Sequence, residues 1–358
     1  MVTLRQIKAS GSPYDFGREI GVAVREAVMT VSVRNPEFQA LEERWAGSAY
    51  VSDLKLATQA AYPAYMREIE GMADGISLPF EQIFIWNCRG DLRLPDDVSK
   101  SVKNGAADGC TTLMIPGDLA AGHVHTIAHN EDGSDDLHGH CFWLSANPDS
   151  GQAFESYLYP GMIAGHTLAV NAAGLVQTIN NIRVHDLKPG VPRHICSRAV
   201  LDCSSLDDAV KVLSRTDRAS GFHHNLGMAG DDRLISVEAP ASGCEVREIN
   251  KPAAHANHLI YEPFASTDQT VTASSEARQS RATQMLEEEL HVDGGPEAIL
   301  FDRSEAGKAI HRIPGDGSDD YGRTLATGIF TINSTGVNWR LHDGPEHKNG
   351  LGGDVLVD

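Results

Sequence analysis

The segment Asp108-Gly109-Cys110-Thr111-Thr112 places a glycine, a thiol and two hydroxyl groups in consecutive positions. A thiol at Cys110 can attack the carbonyl carbon of Gly109, because glycine has no Cβ to clash with a close approach. Hydrolysis of the resulting thioester would free the α-amino group of Cys110. An α-amine titrates near pH ~8, so the new N-terminus would carry a general base beside its own nucleophile. The segment therefore predicts self-cleavage between Gly109 and Cys110.

Other motifs favour this interpretation over the alternative that Cys110 is a small buried hydrophobe, which is the commoner role of a lone cysteine. In chain order they are Gly11-Ser12-Pro13-Tyr14-Asp15-Phe16-Gly17-Arg18-Glu19-Ile20-Gly21, Glu68-Ile69-Glu70-Gly71-Met72-Ala73-Asp74-Gly75, Ala107-Asp108-Gly109-Cys110-Thr111-Thr112, Asn130-Glu131-Asp132, Gly190-Val191-Pro192-Arg193-His194-Ile195 and His255-Ala256-Asn257-His258. Their order and spacing resemble the acyl-coenzyme A:6-aminopenicillanic acid acyltransferase family of autoproteolytic N-terminal-nucleophile (Ntn) acyltransferases and hydrolases. The resemblance runs from about Gly11 to about Pro345.

The fold class follows from the blocks of helices and strands. Helices are predicted over residues 14–30 and 53–75. An exposed polar loop is predicted between Arg89 and Gly109, with Pro95-Asp96-Asp97 and residues 100–105. Strands are predicted over 111–115, 123–129, 168–171, 174–180, 234–238 and 326–340, and helices over 193–201 and 206–213, the latter capped by Ser204 or Ser205. Blocks without strict βαβ alternation indicate α+β. The resemblance implies a four-layer αββα sandwich of two antiparallel sheets flanked by helices.

The predicted cleavage point also sets the domain organisation. Residues 1–109 form a largely helical α-chain, and residues 110–358 form a β-chain that begins with the catalytic Cys110. We expect the two chains to make one Ntn domain.

Asn257 is the candidate donor for an oxyanion. A tetrahedral intermediate needs fixed donors, and an asparagine amide donates without bringing a charge. Asn257 matches the oxyanion-hole asparagine of the resembled family; read without that resemblance, it is a turn asparagine.

Further candidates lie near the predicted strand ends. Thr112 is two residues beyond Cys110, so on a strand it faces the same side, and its hydroxyl is a candidate for assisting self-cleavage. The resemblance implies that Asp132 holds the α-amine or its hydrogen-bond network. The alternative is that Asp132 belongs to a solvated acidic run with Glu131, Asp135 and Asp136. Asn130, Asn180 and Asn181 are candidates for contacting substrate.

Composition excludes several classes of partner. The formal net charge of −19 argues against binding to nucleic acid or to anionic lipid. No stretch has the length of a membrane span, and the first eight residues lack the apolar core of a signal peptide, so we expect a soluble cytoplasmic protein. The six cysteines show neither a Cys-x-x-Cys pair nor metal-ligand spacing, so we expect them to be reduced.

Two rival interpretations remain open at this point. Histidines at 123, 125, 129, 138 and 140, with Asp132, Asp135 and Asp136, could form a divalent-metal site, although helical metalloprotease spacing is absent. Alternatively, the chain is a binding or scaffold protein in which Cys110 stays unprocessed. Metal analysis tests the first rival and intact mass tests the second.

The sequence favours an Ntn amidohydrolase that cleaves a small N-acyl or amino-acyl amide through a thioester at Cys110, without cofactor or metal. The alternative is acyl-coenzyme A-dependent N-acyl transfer. Hydrolysis is preferred because neither a glycine-rich phosphate loop nor a basic cluster stands out for coenzyme A. The expected partner is the small-molecule substrate, and a homo-oligomer of processed heterodimers is compatible with the sequence.

Overall fold

The computed structural model describes residues 4–93, 109–117, 124–305, 309–315, 322–344 and 350–357. Its helices are Pro13–Ala27 (α1), Pro36–Trp45 (α2), Ala49–Ala61 (α3), Pro63–Ile76 (α4), Phe80–Asn87 (α5), Arg193–Val200 (α6), Leu206–Leu213 (α7), Ala273–Glu287 (α8), Leu290–Gly294 (α9) and Glu297–Leu300 (α10), with a π-helical turn at Val28–Ser32 and short 3₁₀ turns at Asp135–Leu137 and Phe264–Ser266.

The strands are Arg5–Gly11 (β1), Gly109–Ile115 (β2), His125–Ser134 (β3), Phe142–Pro148 (β4), Phe154–Leu158 (β5), Leu168–Asn171 (β6), Leu175–Asn181 (β7), Phe222–Met228 (β8), Leu234–Glu238 (β9), Glu245–Glu248 (β10), Ala253–His255 (β11), Gly322–Asn333 (β12), Gly336–His342 (β13) and Leu351–Leu356 (β14). They form an eight-stranded sheet in the order β1-β4-β5-β6-β7-β8-β9-β10 and a six-stranded sheet in the order β11-β2-β3-β12-β13-β14. All pairs are antiparallel except β1 with β4, which is parallel.

Buried clusters show how the layers stack. The rings of Trp143 on β4 and Trp339 on β13 meet at 4.5 Å, so the two sheets pack face to face. Apolar side chains of α6 and α7 cover one side of the eight-stranded sheet, and those of α8 and α10 cover the outer side of the six-stranded sheet. This arrangement is the predicted α+β sandwich of two sheets flanked by helices.

Helices α1 and α4 cross at very short range, which explains two glycine-bearing motifs. A Cβ at Gly17 would collide with the backbone of Glu68, and a Cβ at Gly71 would collide with the backbone of Tyr14. Glycine is therefore required at both positions for the two backbones to approach so closely. The crossing therefore ties α1 to α4 within the helical first segment.

Most predicted elements are confirmed, with one clear correction. The hairpin of β6 and β7 and the helices α6 and α7 lie where expected, and Ser205 caps α7 by accepting from the backbone N–H of Asp208. The single helix predicted over 53–75 is wrong, because the chain breaks at Tyr62 into α3 and α4. Pro63 has no N–H to continue the first helix and instead begins the second.

Three further expectations concern the predicted loop, the cysteines and membrane-spanning segments. The exposed loop predicted between Arg89 and Gly109 is wrong at its start, because Arg89, Asp91 and Leu92 are buried. Residues 94–108 lie outside the described residues. All six cysteines are described, and none of them forms a disulfide in this structure. None of the described helices has the length and apolar character needed to cross a membrane.

Candidate active site

Cys110 lies on β2, directly opposite Glu131 on β3. Side chains alternate between the two faces of a strand. Thr112 therefore shares the face of Cys110, as predicted, and this face points into the space between the two sheets, where Thr112 meets Thr178 and Asn180 of β7. The two strands predicted over 111–115 and 123–129 pair with each other, antiparallel, as β2 and β3.

Two side chains hold the backbone of Cys110. Its N–H donates to Oδ1 of Asn257 at 2.8 Å, and its carbonyl oxygen accepts from the guanidinium of Arg278 on α8. Arg278 also donates to Oδ1 of Asn257 at 2.7 Å and to the Thr111 hydroxyl at 2.9 Å. The sequence analysis missed Arg278, since nothing in its helical context distinguishes it from a surface arginine.

The amide of Asn257 is oriented differently from what an oxyanion donor requires. Its Nδ2 donates to the carbonyl oxygen of Asn181 at 3.0 Å, while its oxygen faces Cys110. In the uncleaved chain, Asn257 therefore acts as an acceptor at the nitrogen of the Gly109–Cys110 bond. To donate to an oxyanion, Nδ2 of Asn257 would have to give up its hydrogen bond to the Asn181 carbonyl and form one to the oxyanion instead.

The thiol of Cys110 contacts the carboxyl group of Glu131, a member of the acidic run that the alternative interpretation predicts to be solvated. The Cys110 sulfur lies 3.6 Å from Oε2 of Glu131, and Oε1 accepts from the Tyr159 hydroxyl at 2.5 Å. The residues of this run differ in exposure, because β3 ends at Ser134: Glu131 lies within the strand and is buried, whereas Asp135 follows it and is exposed. Alternation along β3 was the signal that could have identified Glu131.

Burial raises the pKa of the Cys110 thiol well above its usual value, and the carboxylates of Glu131 and Asp132 raise it further. A backbone hydrogen bond from Asn181 and the charge of Arg278 act in the opposite direction. The thiol is therefore neutral near pH 7 in the uncleaved chain. Nucleophilic attack needs a base that removes its proton.

A buried hydrogen-bond chain fixes the protonation of His129. The Nδ2 of Asn180 donates to the His255 carbonyl, so its Oδ1 accepts the proton of the Thr112 hydroxyl at 2.9 Å. Thr112 then accepts from Nδ1 of His129 at 2.7 Å, because a hydroxyl has one proton to give. Burial lowers the pKa of His129 to about 3, so its ring is neutral and Nε2 carries a lone pair.

That lone pair lies 3.0 Å from Oε2 of Glu131. Two acceptor atoms in such contact must share a proton, so Glu131 and His129 form a proton-holding pair beside the thiol. Thr112 and Asn180 belong to the chain that orients this pair rather than to the wall of the cavity near Cys110.

Asp132 and Asn130 lie on the opposite face of β3, toward α8 and α10. Asp132 accepts from the Thr324 hydroxyl at 2.6 Å, and burial raises its pKa while Arg278 and Arg312 oppose the shift. Asn130 donates to the carbonyl of Leu300 at 2.7 Å. Asn130 thus ties the outer helical layer to the sheet, and neither side chain is brought to the thiol.

A small cavity of about 30 Å³ adjoins the thiol. Its wall includes Asn181, one of the predicted substrate-contact residues, together with Arg89, Glu131, Tyr159, Arg193 and Phe222. The volume is enough for a water molecule. A small reacting group can therefore reach Cys110 from this side.

The histidines of the rival metal site do not converge in the part of the chain that the structure describes. Nδ1 of His125 accepts from the backbone N–H of Gly117, and His123 lies outside the described residues. Among the described residues, a group with metal-ligand spacing consists instead of Cys110, His129 and Glu131, whose ligand atoms lie within 4.8 Å of one another.

Comparison of the sequence with known families gives a match over residues 120–345, to the family described as acyl-coenzyme A:6-aminopenicillanic acid acyl-transferase. This stretch is more than half of the chain. The chain belongs to this family. The matched stretch begins after Cys110 and includes Glu131, Asn181, Asn257 and Arg278. The resemblance inferred from the motifs is thereby confirmed.

A curated relative within this family is the β-alanyl-dopamine/carcinine hydrolase of Drosophila melanogaster. It is 27% identical over 287 residues, which cover 76% of this chain and 72% of the relative. Family membership and this relative together support an enzyme of the amide hydrolase or acyltransferase type.

Proposed function

We propose that this chain cleaves itself between Gly109 and Cys110 and then hydrolyses the amide bond of a small N-acyl substrate through a thioester at Cys110. The observation that carries the proposal is the set of contacts around one residue. Asn257 holds the nitrogen of Cys110, Arg278 holds its carbonyl, and Glu131 lies against its sulfur. The nitrogen, the carbonyl and the sulfur of Cys110 are the groups that must be held in place if this residue is both the nucleophile and the new N-terminus.

Self-cleavage needs a base before the α-amine exists, since the nitrogen of Cys110 is then an amide. Glu131 is in contact with the thiol and already shares one proton with His129, so acceptance of the thiol proton is a relay: the thiol proton passes to Oε2 of Glu131 while the shared proton moves to Nε2 of His129. The sulfur attacks the Gly109 carbonyl carbon, the C–N bond breaks, and the departing nitrogen takes up the proton that the Glu131–His129 pair received from the thiol. Water then cleaves the thioester, which leaves a carboxylate on Gly109 and a free thiol on Cys110.

Turnover repeats this chemistry on the substrate. The α-amine of Cys110 accepts the thiol proton, the sulfur attacks the substrate carbonyl, and the amine delivers the proton to the leaving nitrogen. Asn257 and the backbone N–H of Asn181 are the proposed donors to the oxyanion. Thr112 does not contact the substrate; its hydroxyl fixes the tautomer of His129 by accepting from Nδ1. Water releases the acyl group as a free acid.

The two products of cleavage are expected to remain associated, as residues 1–109 and 110–358 of one domain. Strand β1 of the first pairs along its whole length with β4 of the second. The Asn87 side chain donates to the Gly161 carbonyl at 2.9 Å, and the backbone carbonyl of Asn87 accepts from Nδ1 of His194 at 2.7 Å. Separation of the two products would break these hydrogen bonds and leave buried polar groups unsatisfied, which costs free energy.

Acyl transfer to an amine is the second candidate, because the family is described by that reaction. Hydrolysis is preferred because the relative is named as a hydrolase, and its name places small amides such as β-alanyl-dopamine among the substrates to be tested first.

The test is the intact mass and N-terminal sequence of the purified protein, followed by a screen of N-acyl amides, amino-acid amides and acyl thioesters. We expect two associated fragments, one of which begins at Cys110. Cys110→Ala should give a single inactive chain. Cys203→Ala, which alters another buried thiol far from the cavity, should still be cut and active. An active wild-type protein without a Cys110 terminus would refute the proposal.

A further inference from the structure

Arg89 follows α5 and lines the same cavity as the Cys110 thiol. Its side chain is buried, with 8% of the residue exposed. The guanidinium donates to the sulfur of Met162 and lies 4.9 Å from the ring centroid of Trp86. In the part of the chain that the structure describes, Arg89 makes no ion pair. A buried guanidinium thus faces the reaction cavity with a thioether and an aromatic ring as its neighbours.

Two other buried arginines, Arg198 and Arg278, have oxygen acceptors. Arg198 pairs with Glu68 at 3.2 Å and Asp202 at 3.0 Å, and Arg278 donates to the carbonyl of Cys110. Burying a charge without a counter-charge costs several kcal/mol, and a thioether is only a weak acceptor. The setting of Arg89 therefore favours an anion that arrives with the ligand.

The surroundings of the cavity reinforce this charge. Arg193 lines the Cys110 cavity and also an adjoining cavity of about 20 Å³, whose wall includes Arg93 and Arg183. Arg193 is positioned by Asp91, which accepts from its backbone N–H at 3.1 Å. The four arginines come from two stretches of sequence about ninety residues apart, 89–93 and 183–193, which the fold brings together. Arg93 is ion-paired with Glu37 at 2.7 Å, so Arg89 and Arg193 are the arginines that add positive charge at the Cys110 cavity, in a protein of net charge −19.

We infer that the substrate carries a carboxylate, bound by Arg89, beside the carbonyl group that Cys110 attacks. The inference rests on the proposed function and specifies its substrate as an acidic N-acyl compound. The planar guanidinium suits a carboxylate, to which it can donate two parallel hydrogen bonds. The diphosphate of coenzyme A does not fit this position, because the pantetheine arm separates it from the acyl carbon by far more than a cavity of about 30 Å³ spans.

The test measures protection of the Cys110 thiol against iodoacetamide, read by mass spectrometry on the purified wild-type protein. Two matched pairs place the carboxylate on either side of the amide: succinamate against succinamide, and N-acetylglycine against N-acetylglycinamide. We expect the carboxylate of at least one pair to protect at concentrations at least tenfold lower than its neutral partner, and coenzyme A to give no protection. Equal protection within both pairs, or protection by coenzyme A at the concentration of the best carboxylate, would overturn the inference.

Variants assign the effect to Arg89. Arg89→Met should abolish the carboxylate preference, while Arg247→Met, at an exposed arginine outside the cavity, should retain it. If Arg89→Met does not fold, Arg89→Lys carries the test, and its preference should fall at least threefold with unchanged affinity for the neutral ligands. An unchanged preference in the variant that folds would refute the role of Arg89.

This readout does not depend on turnover or self-cleavage, which intact mass reports separately. An Arg89-dependent preference in an uncut protein would reject the proposed function and retain the anion site. A cut and active enzyme without the carboxylate preference would reject the anion site at Arg89 and retain the proposed function.

Discussion

The backbone N–H of Cys110 donates to the side-chain oxygen of Asn257 at 2.8 Å, across 147 residues of sequence. That oxygen also accepts from Arg278 at 2.7 Å, so its position is fixed from two sides. The nitrogen it holds belongs to the bond that self-cleavage would break. Asn257 is therefore placed to position the α-amine as soon as that amine is formed.

Asn257 is predicted to serve turnover through its amide donor. Asn257→Ala should lower kcat by roughly 10²–10³, the usual scale for loss of one oxyanion donor. Asn257→Asp keeps an acceptor for the Cys110 nitrogen but cannot donate, so it should be impaired to the same extent. The measurement is kcat of processed protein. Near-normal turnover by Asn257→Asp would show that residue 257 contributes only as the acceptor for the Cys110 nitrogen, the role that it has in the uncleaved chain.

Glu131→Gln should slow self-cleavage by roughly 10²-fold or more, the scale of a lost general base. Glutamine can still accept from Tyr159 and donate to Nε2 of His129, so we expect the fold to survive. Since the carboxylate raises the pKa of the Cys110 thiol, its removal should lower that pKa. Alkylation of Cys110 should then shift to lower pH while the uncut chain accumulates.

The matched control for this variant is Glu155→Gln, at a part-buried glutamate bonded to Ser145 on the other sheet. It should be cut at the wild-type rate. Cleavage of Glu131→Gln at that same rate would remove Glu131 from the mechanism.

Removal of metal ions should leave activity unchanged, because Cys110 is proposed to act as a nucleophile and not as a ligand. The check is turnover before and after dialysis against EDTA, with elemental analysis of the purified enzyme. Stoichiometric metal together with activity that is lost on dialysis and restored by zinc would instead assign Cys110, His129 and Glu131 as ligands.

Partition of the acyl-enzyme decides between hydrolysis and transfer. The ratio of free acid to N-acyl product is followed as candidate amines are titrated against a fixed acyl donor. We expect acid to remain the main product while the amine is far less concentrated than water. Capture that saturates at low amine concentration, with acid nearly abolished, would show a site that binds amine and excludes water.

The sequence by itself determined the local features of the site. The glycine before Cys110 and the order of the motifs pointed to the family, and the two-residue period of a strand put Thr112 on the face of Cys110. The cap at Ser205 and the hairpin of β6 and β7 were also readable, because caps and turns depend on neighbouring residues.

Tertiary structure alone decided which distant side chains meet the thiol. Arg278 reaches the carbonyl of Cys110 from 168 residues away, and Arg89 enters the cavity from the end of a helix in the first segment. Strand alternation can place Glu131 on the face of Cys110, but it cannot show that Glu131 is buried against a neutral histidine while Asp135 stays in water. Burial and charge pairing depend on how the two sheets and their helices stack, and that stacking is a sum of long-range contacts which no short pattern encodes.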